Sequence, residues 1–103
     1  MNVYELASAI NERSFTLVAY QQNLDRVKCE PESKIRQTKL TAAMMEVTSV
    51  QSDIDALWSQ VLSSCRSKFE LAWMEENTYC DYSQRQKIAR FKESEAFVLL
   101  PNR

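Results

Sequence analysis

The chain contains no glycine. At average usage a chain of 103 residues would carry about seven. Without glycine, a backbone position needing positive φ has no low-cost occupant. Walker-type phosphate loops, dinucleotide fingerprints, GxSxG elbows and Asn-Gly hairpins are therefore excluded. Histidine is absent as well, which removes the commonest general base and the commonest metal ligand. Right-handed helix is the structure such a chain builds most readily, and apolar spacing agrees. No sustained apolar/polar alternation marks a strand, so the chain reads as all-α.

Asn2 followed by Glu5 is a helix-start signature. Val3, Leu6, Ile10, Leu17, Tyr20, Leu24 and Val27 follow at heptad offsets, with Arg13 the interruption and Phe15 and Val18 widening the stripe. Arg26 and Lys28 suit the negative end of the helix dipole. A first helix over residues 2–28 is predicted. Pro31 disfavours helical geometry at Glu30 and itself fits the first position of a new helix. The short connector predicts an antiparallel hairpin.

A long second helix is predicted over 31–76. Ile35, Leu40, Ala43, Met44, Val47, Val50, Ile54, Leu57, Trp58, Val61, Leu62, Cys65, Phe69, Ala72 and Trp73 recur at steps of three and four. Such a rod would measure roughly 65 Å. The stretches 47–52 and 63–67 are weak points, but neither holds Gly or Pro, so bending is expected rather than a break. Residues 77–81 read as a loop. Asp81 with Gln84, and Ser83 with Gln86, read as capping boxes opening a shorter third helix over 83–97. On it Ile88, Phe91, Val98 and Leu99 share a side, and Pro101 closes it. The whole of 1–103 forms one helical domain.

Two antiparallel helices meet along one line and cannot shelter the wide apolar face of residues 40–73. Either the third helix folds back or a second copy completes the bundle. The length of the second segment favours a homodimeric helical bundle.

Four features could meet a partner. Arg13 interrupts the seam, either fixing register or reaching to water. Residues 84–92 carry Arg85, Lys87, Arg90 and Lys92 with Phe91 and no acid. Residues 81–103 hold a net charge of +2 on a body of −3. The segment 73–82 gathers Trp73, Met74, Tyr79 and Tyr82, residue types enriched in binding hot spots. The tail places Phe97, Leu99 and Leu100 where chain ends are usually polar. Each also has an intramolecular reading, as a solvated face or as packing onto the chain's own body.

The three cysteines show no CxxC spacing, so a disulfide framework or zinc site is not expected. Cys65 falls on the apolar stripe, and Cys29 and Cys80 lie near helix ends. Glu70, Glu75, Glu76 and Asp81 read as a solvated acidic face rather than an active site. No catalytic residue, cofactor or metal is implied. The Trp-X-Gly turn of small helical secretion proteins is missing, since the Trp residues stand in Trp58-Ser59-Gln60 and Trp73-Met74-Glu75. No secretory signal or membrane span is visible, and free thiols fit the cytoplasm. The sequence reads as a small protein-binding module: an adaptor, assembly factor or inhibitor, of the kind plausible by analogy in viral or mobile-element genomes. A nucleic-acid-binding regulator using helix 85–92 is the alternative.

Overall fold

The computed structural model describes residues 1–103 as five α-helices and no strand. They are α1 (Val3–Lys28), α2 (Lys34–Ser64), α3 (Lys68–Asn77), α4 (Tyr82–Lys92) and α5 (Glu95–Val98). Every helix opens on a polar cap. Asn2 Oδ1 accepts from the Glu5 amide at 2.9 Å, and Ser33 Oγ from the Arg36 amide at 3.1 Å. Asp81 and Gln84 form a reciprocal capping box at the start of α4. Pro31 is thus not the first residue of the second helix. It lies in the connector, and Ser33 provides the side-chain acceptor that proline lacks.

α1 and α2 pair as the antiparallel hairpin, burying Val3, Leu6, Ile10, Leu17 and Val27 against Ala43, Val47, Val50, Ile54, Trp58 and Val61. The predicted 31–76 rod is divided. Cys65 takes an extended backbone (ψ 139°), and Ser67 caps a new helix by accepting from the Glu70 amide at 3.1 Å. Glu70 in turn accepts from the Arg66 amide at 2.6 Å. The exposed amides of the first turn of α3 find further acceptors in the C-terminal tail. Lys68 N–H donates to the Pro101 carbonyl at 2.8 Å, and Phe69 N–H to the Asn102 carbonyl at 3.0 Å. Local capping and a non-local strap together offset the helical hydrogen bonds given up at the break.

The break folds α3 back beside α1, where the Tyr4 and Trp73 rings meet edge to face at 4.9 Å. α4 then returns along α2 and buries Ile88. The predicted third helix also ends early. Lys92 closes α4, and Ser94 caps the short α5 by accepting from the Phe97 amide. Val98 and Leu99 consequently leave the apolar side predicted for them and are exposed, while Phe97 and Leu100 pack on the core.

The molecule measures 56 × 23 × 18 Å. Its two ends differ. At the base, α1, α2, α3 and α4 make a four-helix unit. Beyond Asn11 on α1 only the α1–α2 pair continues, as an arm ending at residues 29–33.

If the caps hold the layer in place, Ser67→Ala and Asp81→Ala each cost about 1 kcal/mol. Both should lower the urea midpoint with unchanged m-value. A midpoint unaffected by either substitution contradicts this description of the break.

Candidate functional site

The α3–α4 layer is held to the hairpin by five hydrogen bonds from three side chains. The Trp58 indole N–H donates to the Tyr79 carbonyl at 2.9 Å, with the ring fully buried. Asn11 bridges both ways: its Nδ2 donates to the Asn77 carbonyl at 3.0 Å, and its Oδ1 accepts from the Tyr79 amide at 2.8 Å. Lys87 Nζ donates to Asp55 Oδ2 at 2.9 Å and to Ser59 Oγ at 2.8 Å. These contacts place the 78–81 loop over α1 and α2 and fix where the layer stops.

They also reassign several predicted partner residues. Met74 is fully buried and belongs to the core. Trp73 leans on Tyr4, and Tyr79 is half-buried with both backbone groups engaged. Of the four predicted partner residues in 73–82, only Tyr82 stands out in solvent, its hydroxyl accepting from Gln86 Nε2 at 2.7 Å. In the basic helix, Lys87 pairs with Asp55 and Lys92 with Glu75 at 2.9 Å. Phe91 is half-buried and stacks edge to face on Phe97. Arg85 and Arg90 are exposed and outside any ion pair. Phe97 also receives the Lys68 ammonium 5.3 Å from its ring centre. The tail is thus strapped to the base, with Leu99, 75% exposed, its outermost apolar side chain. Arg13 is exposed beside the groove it shares with Thr16, Tyr20, Glu46 and Asp53.

What the structure exposes instead is the arm. On α1, Tyr4, Asn11, Phe15 and Val18 follow one stripe at steps of seven, four and three. α3 and its following loop touch Tyr4, which keeps 49% exposure, and bond to Asn11. Phe15 and Val18 come next, past the end of the layer, 77% and 48% exposed. On α2, Asp55 and Ser59 lie under α4, and Gln51, Thr48 and Met44 continue that stripe uncovered. Met44 is 52% exposed and Met45, on the outer side, 67%.

This face carries almost no charge. No charged residue occurs from Ser14 to Leu24, and Glu46 is the one between Lys39 and Asp53. Glu46 lines the opposite groove, with Arg13 and Asp53. In a chain with 26% charged residues, that depletion is a feature of interface centres. It is written plainly in the sequence. Basic and aromatic clusters announce themselves as motifs, whereas an absence of charge does not.

No His, Cys, Asp and Glu side chains gather into a metal-binding group, and no helix is long and apolar enough to cross a membrane. The three cysteines are free. Burial pushes the Cys65 thiol above its ordinary value of 9.0, and Glu70 adds to the shift. Burial likewise raises Cys80, against the opposing hydrogen bond and charge of Arg85. Tyr79 is raised by burial, with Asp81 and Cys80 contributing. For these acids a raised folded-state pKa favours the neutral form. Their contribution to stability is therefore full below the unfolded-state values and is lost as pH rises through the folded ones.

A disulfide reagent at pH 8 should consequently label exposed Cys29 first, with Cys80 and Cys65 trailing by tenfold or more. Equal rates for the three thiols would show that the base is open to solvent. No protein-family model matches this chain, and comparison with curated proteins and with solved structures finds no significant match.

Proposed function

We propose that the protein is a small helical binding module that acts by docking the α1–α2 arm onto another protein surface. The observation that carries this reading is the uncharged, partly apolar face of Phe15, Val18 and Met44, left open where the α3–α4 layer ends. Burying a large apolar side chain contributes roughly 1.5–3 kcal/mol, so covering a few of them supports a specific complex. The proposal includes assembly as a dimer, residence in a reducing compartment such as the cytoplasm, and action as an adaptor, assembly factor or inhibitor rather than as an enzyme. Half of the basic set on α4 is already occupied in ion pairs. The nucleic-acid reading therefore rests on Arg85 and Arg90 alone, a small phosphate footprint.

A photo-crosslinking residue in place of Met44 should give discrete protein adducts in native cells. The same residue in place of Gln60, on the base, should give none. Arg85→Ala with Arg90→Ala should leave the adducts unchanged. Absence of adducts at position 44, or adducts to nucleic acid in place of protein, contradicts the reading.

A further inference from the structure

We infer that the open face of the arm is the seat of a second copy of this chain, bound antiparallel about a two-fold axis. The inference rests on the docking reading above and names the occupant of that surface. Three observations converge on it.

The first is the depth of the notch. The α3–α4 layer lies on one face of the hairpin and stops at Asn77–Tyr79, beside Asn11. Beyond that edge the face drops by one layer of helices. The arm of a second molecule is itself one layer of two helices. Laid into the notch, it continues the α3–α4 layer end to end. Its own notch then receives the first arm, as an isologous contact requires. The product is a continuous two-layer bundle of four helices in cross-section along its whole length.

The second is length and area. From Asn11 to the connector at Cys29 the arm runs about 25 Å, and two packed helices are about 20 Å across. The face is therefore on the order of 500 Å² in projection, and more as ridged accessible surface. That approaches the roughly 800 Å² per partner of a stable interface.

The third is charge. A two-fold contact sets each patch against its own copy, so any net charge near the axis would repel itself. The axis would pass near the middle of the arm, by Val18, Gln22 and Met44. No charged side chain stands there: Arg13, Glu46 and Asp53 lie on the other groove, and the arm's remaining charges, Asp25 to Lys39, gather at its tip, away from the axis. Leu99, Val98 and Phe69, three of the exposed apolar residues of the base, lie outside the contact.

Light scattering at tens of micromolar should give twice the chain mass of 12.0 kDa. Val18→Glu and Met44→Glu place like charges together at the axis. Each should raise the dimer dissociation constant at least tenfold while leaving the helical circular dichroism signal intact. Phe69→Glu should remain dimeric. A spin label on Cys29, the exposed thiol at the arm's tip, distinguishes orientations. Antiparallel seating separates the two labels by about 25–30 Å, the overlap length of the arms. A parallel pair brings them within contact range. A monomer at every concentration, a dimer broken by Phe69→Glu but not by Val18→Glu, or adjacent Cys29 labels would overturn the inference. The monomer result leaves the docking reading to stand or fall on the cross-link at position 44.

Discussion

The hydrogen bond from the buried Trp58 indole to the Tyr79 carbonyl decides the layout of the molecule. Trp58 is the largest fully buried side chain, and its N–H could not be left unpaired at that depth without cost. The chain meets that demand with the backbone of the 78–81 loop. The loop is in turn fixed by Asn11 through both Asn77 and Tyr79. The second layer must therefore end at that point on the hairpin, about a third of the way along α1. A base of four helices and an arm of two follow from where one indole is satisfied.

The arm is then the physically incomplete half. Only 19 of 103 residues are buried, which is a modest core for a chain this size. Most large core residues sit at the base: Leu6, Ile10, Ile54, Trp58, Val61, Leu71, Met74 and Ile88. The arm is held by Leu17, Val27, Ala43, Val47 and Val50, with Tyr20 and Leu24 partly covered. Along its middle, residues 14–24 and 40–52, the polar residues are Gln, Ser, Thr and Asn with Glu46 the one charge, and such groups hydrogen-bond without the desolvation penalty of charge. A surface of that chemistry can be wet in isolation and dry in a complex at small cost, unlike one studded with Lys and Glu.

Local signals were readable in the sequence and non-local ones were not. The Asn2 cap and the Asp81–Gln84 box rest on residues within a turn of one another, the antiparallel hairpin rests on a connector of a few residues, and all stand. Ser67 and Glu70 form an equally local start signal, but the apolar periodicity running through Cys65, Phe69 and Ala72 outweighed it. Part of the stabilisation of the break comes from the Pro101 and Asn102 carbonyls, more than thirty residues away, which no window of sequence reveals. The same distance explains the reassigned side chains. Met74 enters the core only because α3 folds back. Lys87 is neutralised by Asp55, on a different helix. Phe15 and Val18 read as stripe residues because their spacing is right, and they are bare because the element that would cover them ends one turn too soon.

Hydrogen exchange followed as a function of protein concentration tests directly whether the arm is a face awaiting a protein partner. If it is covered by association, amides of residues 14–24 and 40–52 slow as concentration rises, while those around Trp58, Leu71 and Ile88 hold a constant rate. Arm protection that never changes with concentration and already equals that of the base would contradict it, since the two-helix segment would then be stable and closed on its own.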